Sequence, residues 1–148
     1  MSELKNRIAE DVKAAMRAGD KPRLSVLRML QAELKQREVV DAVELTDTVV
    51  QAAVEKMVKQ RRDAEAQFRA GNRTDLADKE AAEIGVLLGY LPQQLTEAEL
   101  AALIDQAIAE TGAAGAKDMG KVMGWIKPRA QGRTDMGKLS GLIKARLG

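Results

Sequence analysis

Residues 4–34 read LKNRIAEDVKAAMRAGDKPRLSVLRMLQAEL, and their pattern predicts the fold class of the chain. Apolar residues recur every three or four positions on both sides of a central Gly-Asp-Lys-Pro segment, which is the spacing of one buried helix face. Gly19 favours the left-handed conformation that ends a helix, and Asp20 is suited to cap the next, with Pro22 in its first turn. The stretch therefore predicts two helices that pack antiparallel. Their apolar stripes are Leu4, Ile8, Val12, Met16 and Leu24, Leu27, Leu30, Leu34.

Two further helices follow from capping residues and apolar spacing. Thr46 is suited to cap a third helix, which Gly71 ends. Asn72 with Asp75 is suited to cap a fourth, which reaches Pro92. Arg61 falls on the inward stripe of the third helix, and we expect its guanidinium to pair with a carboxylate such as Glu80 or Glu83.

The remaining chain predicts three shorter helices. Thr96 and Glu99 form a full capping box for the fifth, and Asp118 is suited to cap the sixth. Pro128 should end the sixth helix, since proline lacks the N–H that would donate to the carbonyl four residues before it. The apolar stripes of the last two helices are Met119, Val122, Met123, Ile126 and Leu139, Leu142, Ile143, Leu147.

Composition supports an all-α fold, because prolines are few and alanine, leucine and charged residues are abundant. We expect an N-terminal antiparallel bundle of about four helices over residues 1–92. A small three-helix module should follow over residues 96–148. The two domains would meet at the proline-containing link between the fourth and fifth helices.

The chain contains no cysteine and no histidine, which excludes disulfides, thiolate metal sites and histidine acid–base pairs. Residues 132–138 are similar to the start of a phosphate-binding P-loop, but Leu139 stands where a Ser or Thr must bind Mg²⁺. A helix N-terminus at this point, with Lys138 nearby, could still accept a phosphate. We predict no catalytic residue, no metal site and no cofactor.

Positive charge is concentrated at the end of the chain. From Gly112 onwards there are eight Lys and Arg against two Asp, whereas residues 92–111 carry four acids and no base. Residues 1–91 carry no net charge. The pattern predicts a surface that binds the phosphates of a nucleic acid. The candidate contacts are Lys117, Lys121, Lys127, Arg129, Arg133, Lys138 and Lys144.

Glycines and the only tryptophan lie among these cations. Gly120 and Gly124 share one helix face, so we expect either a neighbouring helix of the module or an RNA backbone to approach it closely. For Gly132 we expect the same two alternatives, close approach of an RNA backbone or packing within the module. Trp125 either belongs to the core, stacks on a base or supports an arginine.

Three segments resemble the GatB/YqeY family over essentially the full length of the chain. They are KQRRDAEAQFRAGNRTDLADKEAAEI, GYLPQQLTEAEL and KDMGKVMGWIKPRAQGRTDMGKLSGLIKARL. The match is to a free-standing YqeY-like protein, which is similar to the C-terminal part of the GatB polypeptide of aspartyl/glutamyl-tRNA amidotransferase. The chain has no counterpart of the ATP-binding cradle of GatB and no glutaminase, and Trp125, Pro128 and Met136 differ from the GatB tail.

The resemblance implies two all-α domains and a link to carbon–nitrogen ligation on aminoacyl-tRNA, with glutamine as nitrogen donor. It implies tRNA contact by the basic tail, beside a tRNA amidotransferase or an aminoacyl-tRNA synthetase. We expect the isolated chain to be inactive. The alternative is a protein interaction adaptor without RNA binding. The N-terminal segment lacks an apolar signal core and no run is long enough to span a membrane, so we expect a cytoplasmic protein without membrane contact.

Overall fold

The computed structural model describes residues 2–148, so Met1 of the predicted first domain lies outside the described residues. Those residues form seven α-helices, one short 3-10 turn and no strand, which confirms the all-α class. The chain divides into two compact units, a first unit that ends at Leu91 and a second unit from Pro92 to Gly148. The helices are α1 (Glu3–Ala18), α2 (Lys21–Val39), α3 (Asp47–Ala70), α4 (Thr74–Leu88), α5 (Glu97–Thr111), α6 (Met119–Ala130) and α7 (Met136–Leu147).

The first unit contains α1 to α4 around one apolar core. Its largest fully buried side chains include Ile8, Leu27, Leu30 and Leu87. Three predicted residues lie at helix ends in the structure, as the sequence indicated. Gly19 is left-handed with φ 68°, the Asp20 side chain accepts from the Arg23 N–H at 3.2 Å, and Thr46 caps α3 by accepting from the Val49 N–H at 3.3 Å.

The helices α3 and α4 form an antiparallel hairpin that a buried ion pair holds. Arg61 is 7% exposed, and its Nε donates to Glu83 Oε2 at 2.9 Å, so the prediction that names Glu83 is confirmed. A second pair joins Arg69 to Asp78 at 3.2 Å. The partner numbers fall on α4 as they rise on α3, which is the register of an antiparallel pair.

Three predictions for the first unit are wrong. Met16 is 55% exposed and Ala15 is buried in its place, because a spacing of four residues drifts around a helix of 3.6 residues per turn. Asn72 does not cap α4: its φ is 60°, so it forms part of the turn, and Arg73 occupies the cap position without a side-chain bond. The helix α4 ends at Leu88, before the predicted Pro92.

The second unit contains α5 to α7 around a smaller core. Leu100, Ile104, Ile126, Leu139 and Ile143 are its largest buried contributors. The predicted capping box starts α5, and both of its hydrogen bonds measure 3.1 Å. The backbone N–H of Thr96 holds the pKa of Glu99 below its usual value, because it donates to the ionised carboxylate.

The helix α6 does not end at Pro128, contrary to the prediction. It continues to Ala130, which is fully buried, as is Ile126 one turn earlier. The φ of proline suits a helix, and its cost is the lost hydrogen bond to the carbonyl of Gly124 together with local crowding. Burial of Ile126 and Ala130 in the core acts against that cost.

Two other expectations for the second unit are wrong. Asp118 does not cap α6 with its side chain; it lies at the end of a 3-10 turn, Ala116–Asp118, and accepts from the Ala114 N–H at 2.9 Å. Leu142, predicted on the buried stripe of α7, is 38% exposed, since Leu139 and Ile143 fill that position in the core. None of the helices described between residues 2 and 148 is long and apolar enough to cross a membrane.

Candidate nucleic-acid interface

The helix α6 has a buried face and a solvent face of different composition. Val122, Ile126 and Ala130 are fully buried, and their spacing of four residues marks the side that enters the core. Gly120 and Gly124 lie on the solvent face, and both are exposed. The helix therefore presents two positions without side chains to solvent.

Three exposed lysines flank these glycines. Lys121 and Lys127 belong to α6, and Lys117 belongs to the 3-10 turn that precedes it. Over the described residues, Lys117 and Lys127 form no ion pair, while Lys121 Nζ lies 3.8 Å from Asp118 Oδ1. The Lys121 side chain is 69% exposed, so this ion pair is worth little in water. All three charges are accessible to a ligand.

The two glycines border open space. Apart from its chain neighbours and the nearby backbone of its own helix, a Cβ atom added at Gly120 or at Gly124 would meet no atom within 4 Å. The alternative of a neighbouring helix packed on this face within the module is therefore wrong. The helix backbone itself is open to close approach by another molecule.

The tryptophan supports an arginine at the side of α6. The guanidinium carbon of Arg129 lies 3.8 Å from the ring centroid of Trp125, and its Nη1 donates to the Trp125 carbonyl. Trp125 is half-buried and packs against the core of the second unit. A cation held over an indole ring is attracted by its electron-rich face. Two of the three predicted roles of Trp125, core packing and support of an arginine, are thus combined.

Other predicted contacts are partly engaged within the second unit. Arg133 Nε donates to the carbonyl of Gln93 at 2.9 Å, and Lys138 Nζ lies 3.5 Å from Glu97 Oε1. Arg146 pairs with Asp105. Lys144 is exposed and forms no ion pair among residues 2–148. The acids of α5 therefore neutralise part of the charge that sequence counting assigned to the tail.

Gly132 and the start of α7 have structural roles. Gly132 has φ 77°, a conformation that favours glycine, and its carbonyl accepts from Gln94 Nε2 at 2.7 Å. Asp135 caps α7 by accepting from the Gly137 N–H at 3.0 Å. A carboxylate thus already occupies the helix end where the sequence suggested a phosphate. Of the remaining predicted cations, Lys144 lies on α7, and the others lie on α6 or on the 3-10 turn before it.

Acid groups of the kind that hold metal ions do not cluster over the described residues. No three His, Cys, Asp or Glu side chains between residues 2 and 148 lie in an arrangement that could bind one. Tyr90 has the most perturbed pKa: burial and the hydrogen bond to Asp11 at 2.6 Å raise it to about 12. This hydroxyl stays protonated at neutral pH and ties the end of the first unit to α1.

Comparisons with known proteins concern nearly the whole chain. The family model described as Yqey-like protein matches residues 5–147. A relative from Pyrenophora tritici-repentis, named altered inheritance of mitochondria protein 41, mitochondrial, is 35% identical over 84% of this chain and 71% of its own length. A protein of the same name from Lachancea thermotolerans is 30% identical over 70% of this chain, which spans 57% of that relative.

These matches include both compact units, since the family model begins within α1 and ends within α7. The names of these two relatives refer to mitochondria and to an inheritance phenotype, and they mention no ligand. The chain belongs to the YqeY-like protein family.

Proposed function

We propose that this chain is a tRNA-associated accessory protein that contacts the phosphate backbone through the solvent face of α6. This α6 face consists of Lys117, Gly120, Lys121, Gly124 and Lys127. One observation supports it above the others: accessible lysines flank a strip of helix where no atom lies within 4 Å of an added Cβ. A phosphate chain could approach this strip more closely than an ordinary helix surface.

The physical basis of the proposal is electrostatic. Lysines that neutralise phosphates release condensed counterions, which makes binding favourable and dependent on salt. The Lys121 side chain is 69% exposed at 3.8 Å from Asp118, so its ammonium is accessible to a phosphate as well as to that carboxylate. Arg129, held over Trp125 at one side of the helix, is available to extend the contact. Recognition of this kind reads the shape and backbone of the RNA rather than its bases.

The proposal predicts where tRNA perturbs the protein. In an NMR titration of the intact chain with bulk tRNA, the amides of Gly120 and Gly124 should shift with those of the neighbouring lysines. Perturbations confined to α1 to α4, or none at low salt, would contradict it. Glycine amides occupy a distinct spectral region, so the two signals can be followed directly.

The finer role rests on the family link. We propose that the chain works beside a tRNA amidotransferase or an aminoacyl-tRNA synthetase, and that it has no ligase activity alone. The test is incubation of the isolated chain with Glu-tRNA(Gln), glutamine and ATP. Formation of Gln-tRNA would contradict an accessory role.

The cellular compartment is a separate part of the proposal. We propose the cytoplasm for this chain, although two relatives are named mitochondrial proteins. Binding of tRNA requires only a compartment that holds tRNA, and both do. Fractionation of cells that express the intact chain distinguishes the two.

A protein interaction adaptor is the second candidate, and an exposed apolar segment favours it. Val39 is 66% exposed and Val40 is 72% exposed at the end of α2, and Val43 follows at 39%. Exposed apolar clusters often mark protein contacts. A pull-down from nuclease-treated lysate separates the candidates: partners that vanish with RNA support tRNA association, and partners that persist and require these valines support the adaptor.

A further inference from the structure

A cleft in the first unit lies between the start of α2 and the middle of α4. It has a volume of about 520 Å³, within the range of small-molecule sites, about 300–1,000 Å³. None of its lining belongs to the second unit. The lining residues are Asp20, Lys21, Pro22, Arg23, Ser25, Val26, Lys79, Ala82, Glu83 and Val86.

The charges in this cleft favour an anion. Lys21, Arg23 and Lys79 form no side-chain ion pair among residues 2–148. The two acids of the lining differ, since Glu83 is neutralised by an ion pair and Asp20 keeps its negative charge. Asp20 accepts from the Arg23 N–H that starts α2, and Glu83 pairs with the buried Arg61 at 2.9 Å. Three cations therefore line the cleft against one carboxylate, Asp20, that no cation pairs with among residues 2–148, so the lining is net positive.

The base of the cleft is apolar, and it indicates what kind of group the ligand carries beside its anion. Val26 is 1% exposed, and Val86 is partly buried, so both present apolar surface at the base of the cleft. Ala82 is exposed and leaves room above them. The Ser25 hydroxyl is exposed and can donate a hydrogen bond to an oxyanion. The site combines cations, one hydroxyl and an apolar base.

We infer that this cleft binds a phosphate monoester with an apolar or flat body, the class to which mononucleotides belong. A phosphate monoester carries about −1.5 to −2 charges at neutral pH, which suits three cations better than a carboxylate does. The apolar base would accommodate the nucleobase. This inference does not depend on the proposed tRNA contact, because its residues all belong to the first unit.

Two sources supply such a group: a free nucleotide, and the 5′-phosphate at the end of an RNA strand. Calorimetry on the intact chain with AMP, adenosine, glucose 6-phosphate and inorganic phosphate identifies the recognised parts. We expect AMP to bind most tightly, since it alone joins phosphate to an apolar body. A 5′-phosphorylated RNA hexamer and its 5′-hydroxyl twin then distinguish the sources.

Variants locate the site. Lys21→Gln with Lys79→Gln should weaken AMP binding by about tenfold or more, as expected for losing hydrogen bonds to a charged group. Lys35→Gln with Lys59→Gln is the matched control, since both lysines are exposed and lie outside the cleft. Ala82→Leu fills the apolar side without changing charge, so it should weaken AMP but spare inorganic phosphate.

The relative affinities of AMP and the two RNA hexamers distinguish a free nucleotide from an RNA end. Tighter binding of the phosphorylated hexamer than of AMP, with the same sensitivity to Lys79, assigns the site to an RNA end. Binding of AMP with no difference between the hexamers assigns it to a free nucleotide. Failure of AMP and of the phosphorylated hexamer to bind saturably, or an equal loss in the control variant, overturns the inference. AMP should shift the amides of Ser25 and Ala82 and leave the α6 face unchanged, which separates this result from tRNA binding.

Discussion

The two units employ their charged side chains in different ways. The first unit carries no net charge and buries the ion pair between Arg61 and Glu83, whose side chains are 9% and 14% exposed. In the second unit each described ion pair has an exposed cation, as at Lys138, which lies 3.5 Å from Glu97. Exposed pairs contribute about 0–1 kcal/mol, so their cations can exchange partners. The buried pair of the first unit specifies how α3 and α4 pack, and the exposed cations of the second unit are available for ligands.

The largest predicted effect is on the buried pair. Arg61→Ala should lower the free energy of unfolding by about 3–5 kcal/mol, because it leaves Glu83 poorly solvated and without its partner. Lys138→Ala, at an exposed pair of the second unit, should cost less than about 1 kcal/mol. Urea denaturation measures both.

Replacing both partners of the buried pair tests whether the loss in Arg61→Ala comes from the unpaired charge of Glu83. Arg61→Met combined with Glu83→Leu should recover most of the loss, since no unpaired charge remains. Equal costs for Arg61→Ala and Lys138→Ala would contradict the assignment of different roles to the two kinds of pair.

A smaller effect is expected at Tyr90, which is 3% exposed. Tyr90→Phe should cost about 1–2 kcal/mol at neutral pH, because the hydrogen bond to Asp11 is lost. The pKa of Tyr90 rises from 10.0 to about 12 in the folded chain. Between these values the unfolded chain loses a proton that the folded chain keeps, so wild-type stability falls as pH rises.

The pH dependence of stability is therefore the more specific readout for Tyr90. Thermal denaturation from neutral pH to pH 12 should show the gap between wild type and Tyr90→Phe narrowing above pH 10. If the stability difference between wild type and Tyr90→Phe stays constant over that range, the pKa of Tyr90 is not raised in the folded state.

The smallest effect, and the most specific to the second unit, is expected at Gly124. Gly124→Ala should stabilise α6 by up to about 1 kcal/mol, because the position is helical and the added methyl meets no atom within 4 Å. If RNA approaches the bare backbone, the same change should weaken tRNA binding. If the variant is more stable and binds tRNA as well as the wild type does, Gly124 is not part of the tRNA interface.

Helix ends were largely predictable, since their signals are local. Gly19, Asp20 and Thr46 each act through backbone groups within a few residues. The partner of Arg61 was predictable because helical spacing placed it inward, where a buried guanidinium requires a carboxylate. Asn72 and Asp118 were misassigned because both are compatible with a turn as well as a cap.

The candidate site was predictable in composition but not in extent. Sequence counting treated the tail cations as one surface, whereas Glu97 and Asp105 of α5 neutralise two of them across the unit. Such pairings depend on tertiary packing, which residue spacing does not encode. The same holds for Pro128, where burial of Ala130 overrides a local helix-breaking signal. The phosphate-binding cleft of the first unit had no linear motif.

Binding of tRNA by the α6 face is best tested by affinity across a salt series. Log affinity of the intact chain should fall against log salt with a slope of about −2 to −3, as for three neutralised phosphates. Lys117→Gln, Lys121→Gln and Lys127→Gln together should abolish most of that slope. The control changes the same net charge at exposed lysines of the first unit: Lys13→Gln, Lys35→Gln and Lys59→Gln. Retention of affinity and slope by the α6 variant, or an equal loss in the control, would contradict tRNA binding by the α6 face.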